Sequence, residues 1–462
     1  MTVEDEAARL RAENTRLEAE NGALRSALAA AQEIIRQQQE ALARVEARVA
    51  ELERRKTPPP PWAKAKTPPE RAPQARKKRA PEHNTGRRRE EPTRIVEHAY
   101  ERCPACAYAL RGRSVSWSRQ VIELPEPPPV EIIEHRGLKR YCPVCQKWQT
   151  PRVDVAGVVL GQGRFGVRLV SALAWLRARL RLPLGQIREA ARTLWGVHVS
   201  EGGIVDSLRR LAAATAGERA RIAARVRASP AVHADETGWR EAGQNGYVWV
   251  RATPDGDCLY TYDHSRAGAV AQRLLDDCRG VRCTDFYAGY NGVLGRKQRC
   301  WAHLLRDLHA LKDDHPQDET VRAWAQAVHA LYERGQECEA QPLSAAQGER
   351  AYRQLEDRAH ALARCYADTA GHPCQTLAQR LRRHRGELFE FVRVPGLGAT
   401  NNEAERRLRP LVITRKISGG TRSGQGTTTR LDLASVFQTW HAHGLDSFAA
   451  CYSLLHSGLP QL

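Results

Sequence analysis

The first fifty residues place apolar side chains at alternating steps of four and three. The series runs Leu10, Asn14, Leu17, Asn21, Leu24, Leu28, Ala31, Ile35, Gln38, Leu42, Val45, Val49, Leu52, and Glu, Arg, Gln and Ala fill most positions between. A seam this narrow cannot be buried within one helix, so residues 5–55 predict a coiled-coil dimerisation helix. With Leu at d, Asn14 and Asn21 fall at a positions, where Asn lowers stability but favours a parallel two-stranded register. The period then vanishes. Residues 56–94 are Pro-rich and basic (TPPPPW, KTPPERAP, ARKKRAP, GRRREEP) and read as a disordered or partly polyproline linker.

Helical spacing returns at Phe165. VRLVSALAWLRARL is one helix, PLGQIREAARTLWG a second that starts at Pro183 and ends at Gly196, and HVSEGGIVDSLRRLAAAT a third with Ser200 as N-cap. Two helices joined at a Gly-containing turn predict a helix-turn-helix-like region over 160–226. After Pro230 the pattern becomes strand-like. AVHADET, GYVWVRAT and CLYTYDH form two successive hairpins, RAGAVAQRLLDDC is a helix, GVRCTDFYAGYN a strand ending at Asp285, and KQRCWAHL a fifth strand leading into a long helix. Residues 304–395 are helical in period throughout and read as an insertion. TNNEAERRLRPLVITRK, 400–416, is a helix that Asn401 or Asn402 can cap. The Gly-rich basic stretch 417–430 could drape along DNA; it lacks P-loop spacing, which excludes nucleotide hydrolysis.

Charge changes the picture next. Lys and Arg number 72 against 53 Asp and Glu, a net +19, with a sequence pI near 9.7. A polyanion, nucleic acid above all, is the natural partner. No apolar run approaches a membrane span, and the N-terminus, charged from its fourth residue, is no signal peptide. Arg76, Lys77, Lys78, Arg79, Arg87, Arg88 and Arg89 are candidate phosphate contacts in the linker; Arg188, Arg192, Arg209 and Arg210 are candidates in the helical region.

Twelve cysteines include two CxxC pairs, Cys103/Cys106 and Cys142/Cys145. Four thiolates close a tetrahedral structural Zn²⁺ site with no position open for chemistry. The residues between the pairs predict a hairpin that leads into the second pair, giving a zinc-binding module over 95–152. His303, three residues past Cys300, reads as a core or phosphate-proximal histidine rather than a zinc ligand.

The remaining chemistry lies in carboxylates. The order βββαβ with acids ending strands one and four is a ribonuclease-H-like pattern, and it sets Asp235 and Asp285 on adjacent strands. Two Mg²⁺ (or Mn²⁺) ions held by such acids can cut or join a phosphodiester. The third carboxylate comes from the 400–416 helix. Glu403 and Glu405 point about 200° apart, and the Leu408 side is core-facing, which selects Glu405. Arg406 and Arg409 are then placed to steady phosphate oxygens.

HADETGW, TDFYAGYN, CWAH and TNNEAERRLRPLVITRK together resemble the insertion-sequence-66 family of bacterial transposases, over nearly the whole chain. Glu403 stands where family members often have a small residue. The resemblance implies that Asp235, Asp285 and Glu405 are the DDE metal ligands. It also implies that the substrates are double-stranded element ends and target DNA, with element-encoded helper proteins and a nucleoid-associated cytoplasmic setting. The expected fold is a multidomain α+β chain: coiled coil, zinc module, helical region, ribonuclease-H-like domain over 228–432 with its insertion about 304–395, and a helical extension over 433–462. The coiled coil implies a homodimer or a larger synaptic assembly. Two other functions fit the same features: a non-catalytic dimeric zinc-containing DNA-binding regulator, and a metal-dependent nuclease that cuts but never joins.

Overall fold

A computed structural model describes residues 3–54, 91–122, 124, 130–151 and 154–457. The chain forms two units, residues 1–123 and 124–462. In the first, α1 (Val3–Arg54) is one uninterrupted helix. Leu17, Leu28, Ile35 and Leu42 remain exposed along it, as a seam awaiting a partner helix requires. Charged positions pair along the helix, Arg36 with both Glu33 and Glu40. Most of the predicted linker, and with it Arg76, Lys77, Lys78, Arg79, Arg87, Arg88 and Arg89, lies outside the described residues.

The second unit opens with the antiparallel pair β1 (Arg140–Cys142) and β2 (Lys147–Gln149). The long hairpin predicted upstream does not form: residues 111–122 and 130–139 carry no strand, and ladder pairing is confined to the few residues flanking the second cysteine pair. Four helices follow, α2 (Val167–Ala178), α3 (Leu184–Trp195), α4 (Glu201–Ala214) and α5 (Ala216–Ala228). Gly196 ends α3 in left-handed backbone, φ 67°, and Ser200 Oγ accepts from Gly203 N–H to start α4. Both caps are those the sequence predicts.

A five-stranded sheet forms the centre, in the order β5-β4-β3-β6-β7. Its strands are β3 (Ala231–Glu241), β4 (Gln244–Ala252), β5 (Cys258–Asp263), β6 (Val281–Thr284) and β7 (Lys297–Arg299). The first three run antiparallel, whereas β6 lies parallel to β3 and β7 parallel to β6. α6 (Gly268–Leu275) makes the crossover that a parallel neighbour needs. The predicted insertion is helical: α7 (Trp301–Asp314), α8 (Glu319–Glu339), α9 (Ala345–Tyr366) and α10 (Gln375–Arg383). Its core of Trp301, Leu304, Phe389 and Phe391 joins Ala231, Val281 and Cys283 of the sheet. The insertion is therefore packed against the strands that carry the two aspartates.

α11 (Asn402–Ser418) lies over β3 and β4, burying Ala404, Leu408 and Leu411 with Trp239, Val248 and Tyr260. α12 (Gly424–Ala442) and α13 (Ser447–Ser457) complete the unit. Thr439 Oγ1 and Ser435 Oγ accept from Cys258 and Tyr260 N–H at 3.0 Å each, so α12 occupies the donors of edge strand β5. Part of the Gly-rich stretch packs on β3: Gly420, φ 122°, fits where a Cβ would lie 2.1 Å from the Arg240 carbonyl, and Thr421 N–H bonds that carbonyl. From Gly424 on the chain is already helical, and α12 runs through the boundary expected at 433.

Candidate active site

Backbone pairing brings the two aspartate-bearing segments side by side. β3 and β6 pair Ala231 with Val281, Val232 with Arg282 and His233 with Cys283. Asp235 and Asp285 each lie two residues past the last of these pairs, and the charge of Asp285 is among those that raise Asp235. Asp235 is still within β3; Asp285 is the first residue past β6. Asp235 Oδ1 accepts from Glu236 N–H at 2.8 Å, and Asp285 Oδ1 accepts from Tyr287 N–H at 2.9 Å. The latter bond turns the chain out of the sheet and holds the carboxylate at the strand end.

The third acid comes over the same face on α11. Asn401 is buried at its N-terminus, but its side chain does not cap the helix as the sequence suggests. Its Nδ2 donates instead to the Ala234 carbonyl at 2.8 Å, fastening the start of α11 to the strand that carries Asp235. Glu403 and Glu405 then diverge. Glu403 pairs with Arg406 at 3.1 Å and Arg407 at 2.5 Å, and its charge is neutralised within the helix. Glu405 is half-buried, and its charge is felt by Asp235. Arg406 and Arg409 are both exposed.

Among the three acids, Asp235 carries a marked electrostatic signature. Burial, then Glu236, then Asp285 and Glu405 push its pKa up to about 8, against the opposing backbone hydrogen bond. Crowded carboxylates of this kind are relieved by a divalent cation. Among the described residues no group of three or more His, Cys, Asp or Glu is drawn close enough to form a finished metal site; mutually repelling acids do not close on one another without a positive ion between them. The carboxylates of Asp235, Asp285 and Glu405 are hard oxygen donors, the kind that suits Mg²⁺.

Two supporting residues escaped the sequence reading. Glu236 points to the opposite face, where Arg266 Nε donates to it at 2.6 Å and the Tyr290 hydroxyl also donates. Arg299 is fully buried. Its Nη1 donates to the Asp285 carbonyl at 2.8 Å and its Nη2 to Asn291 Oδ1 at 2.9 Å, while Nε pairs with Glu387 at 2.7 Å. It thereby ties the loop after β6 to the insertion. The acid next to Asp235 was visible in HADET, but no local pattern marks a buried arginine in KQRCW. Cys300 Sγ accepts from Asn401 N–H at 3.1 Å, and burial raises its thiol, so this cysteine serves packing. His303 is half-buried on α7 beside it.

The zinc module expected over 95–152 is present as two separate cysteine turns. All four of its cysteines are free thiols: Cys103 and Cys142 are half-buried, whereas Cys106 and Cys145 are exposed. Cys103 and Cys106 belong to the first unit, Cys142 and Cys145 to the second. A CxxC turn fixes only its own two sulfurs. Each pair does form the same turn. Arg102 pairs with Ala109 around Cys103 and Cys106, as Tyr141 pairs with Trp148 around Cys142 and Cys145. Ala107 and Gln146, each just past the second cysteine, take left-handed backbone at φ 58° and 52°. Cys145 N–H donates to Cys142 Sγ at 3.4 Å. Hydrogen bonds from neighbouring backbone hold the Cys103 and Cys142 thiols below their usual pKa, which favours the thiolate that zinc binds.

In the helical region Arg188 and Arg192 on α3 are exposed, and Arg188 pairs loosely with Glu201 at 3.7 Å. Arg209 and Arg210 on α4 are half-buried, and Arg210 pairs with Asp206 at 2.8 Å. The more exposed basic side chains thus belong to the first helix of the pair, not to the second, which reads DNA in a helix-turn-helix.

The family model described as Transposase IS66 family matches residues 162–429, from the helical region through α11 into α12. No curated protein matches the chain. Among the described residues no helix is long and apolar enough to cross a membrane.

Proposed function

The chain belongs to the IS66 family of transposases, and from that membership we propose a DDE enzyme that cuts an insertion element at its ends and joins it to target DNA. Asp235, Asp285 and Glu405 are its acids. One observation supports the assignment: β3 and β6 pair up to His233 and Cys283, two residues before each aspartate, and the charges of Asp285 and Glu405 both act on Asp235. The βββαβ order, with strands one and four as parallel neighbours, supports a ribonuclease-H-like reading of this sheet.

When bound, a pair of Mg²⁺ ions would activate the attacking oxygen and stabilise the leaving one. The protein's share is positional. Asn401 locks α11 to β3, Arg299 locks the Asp285 turn to the insertion, and the half-buried setting limits access of bulk water. Water first attacks the phosphodiester at the element end and releases a 3′ hydroxyl. That hydroxyl then attacks a target phosphodiester; a new P–O bond forms, and the target strand leaves with its own 3′ oxygen. Arg406 and Arg409, exposed beside Glu405, steady phosphate oxygens. The repeated cysteine turns support one structural Zn²⁺ that would draw Cys103, Cys106, Cys142 and Cys145 together. The exposed heptad seam supports a homodimer or a larger synaptic assembly. Helper proteins encoded beside the gene would complete the machinery.

The test uses purified protein, element-end DNA and Mg²⁺ or Mn²⁺. Wild-type protein should nick at the element boundary and join a precut end to a second duplex. Asp235→Asn should bind the same DNA and do neither. Full strand transfer by that variant ends the assignment. Cutting without joining by the wild-type chain selects the nuclease instead, and DNA binding without either reaction selects the regulator.

A further inference from the structure

Four arginines collect where the C-terminal end of α2 meets α12. Arg177, Arg179 and Arg181 come from α2 and the turn after it, and Arg430 comes from α12. Among the described residues none of the four has a carboxylate partner. Arg430 is only 7% exposed. Its Nη1 donates to the Arg177 carbonyl and its Nη2 to Thr414 Oγ1, both at 2.8 Å, and its Nε is buried without a partner. Burial first, then Arg177 and Arg181, pull its pKa down to about 9. Arg177 in turn caps the chain reversal by donating to the Leu182 carbonyl at 2.8 Å.

These two arginines have structural employment at the negative end of a helix. Arg179 and Arg181 do not. They line a cavity of about 420 Å³ with Trp175 and His441. Arg181 holds left-handed backbone, φ 67°, a conformation that a non-glycine residue adopts at a cost and that gathers at functional sites. Arg179 meets the imidazole of His441, which burial and then Arg179 and Arg407 hold toward its neutral form. Asp446 is the carboxylate on the rim, and its Oδ1 is committed to the N–H groups of Phe448 and Ala449 at the start of α13.

We propose that this cleft is a phosphate-binding site for the backbone of a nucleic acid, with Arg179 and Arg181 as its ligands. The assignment of the phosphate to DNA rests on the transposase reading.

The experiment measures binding of the full chain to a blunt duplex in EDTA, where no cleavage is possible, across a salt series. Arg179→Ala/Arg181→Ala should weaken binding about tenfold at physiological salt and flatten the log K against log salt slope by about 0.9 for each phosphate no longer neutralised. Arg353→Ala, which removes an exposed cation paired with Glu349 on α9, should match wild type. Equal affinity and slope in the double variant overturn the site. A second arm follows thermal unfolding with millimolar inorganic phosphate. If phosphate stabilises wild type but not the double variant while the DNA slope is unchanged, the cleft takes a free phosphate and the backbone assignment is wrong. Loss of DNA binding by the double variant in EDTA, together with a wild-type chain that fails to cut element ends in a separate Mg²⁺ assay, would uphold the cleft and count only against the DDE assignment.

Discussion

Replacing Asp235 by Asn should stabilise the metal-free protein while removing its chemistry. Asp235 is mostly buried, with its pKa raised from the usual 3.8 to about 8 by burial, Glu236, Asp285 and Glu405. The folded state therefore holds this proton more tightly than the unfolded chain. Its contribution is fully present below the unfolded value and is lost as pH rises through about 8. Each unit is worth about 1.4 kcal/mol, so the ionised form costs up to about 4 kcal/mol at neutral pH. Relaxation and water entry reduce such figures severalfold, and about 2 kcal/mol is the expected gain for Asp235→Asn in EDTA at pH 8. That corresponds to a rise of about 3 °C in Tm for a unit of this size. The gain should shrink as the pH is lowered toward 4. Added Mg²⁺ should stabilise wild type and leave the variant unmoved. The assay is thermal unfolding across pH, with and without Mg²⁺. A variant no more stable than wild type at pH 8 in EDTA would refute the picture of crowded, uncompensated acids.

Glu405→Gln should abolish end cleavage with DNA affinity retained, whereas Glu403→Gln, which only releases Arg406 and Arg407, should keep most activity and cost about 1 kcal/mol; single-turnover cleavage and denaturant unfolding separate the two. Arg299→Met strands the buried end of Glu387 and frees the Asp285 turn, and should cost about 3–5 kcal/mol by urea titration. Glu387 is lowered to about 2 because its bonds to His384 and Arg299 outweigh burial. Its stabilisation is present above the usual 4.5 and fades as pH falls toward 2, and Arg299→Met should blunt that acid limb. Cys106→Ser and Cys145→Ser, one from each turn, should each abolish the same single equivalent of zinc, measured by elemental analysis; retention of full zinc by either variant breaks the four-thiolate site. Deleting residues 5–55 should halve the mass in light scattering, and an unchanged mass would place the dimer contact elsewhere.

Several features were open to reading because they are local. Heptad spacing in α1, Ser200 and Gly196 as caps, and the alternation in β3 to β5 need only a few neighbouring residues to declare themselves. The divergence of Glu403 and Glu405 was also within reach, since the angle between two residues on one helix follows from the helical turn alone. The two CxxC turns were legible for the same reason. The local structure of 417–430 was less so, because glycines that suit an open loop equally suit close backbone contact: Gly420 lies against Arg240, and Gly424 opens α12. Asn401 misled. A residue that ordinarily caps a helix was recruited across the chain by the Ala234 carbonyl.

The amino-acid order by itself settled most of the helices, the strands β3 to β5 and which acids were eligible, because those depend on periodicity and short-range caps. Tertiary structure alone decided which segments lie side by side. Parallel pairing of β3 with β6 aligns residues fifty positions apart, and no local pattern encodes a register between distant strands. It also decided which charges stand uncompensated. Burial and the absence of a nearby counter-charge set Asp235 apart from Glu403, and Arg179 and Arg181 apart from Arg210, and both are properties of surroundings assembled from remote parts of the chain.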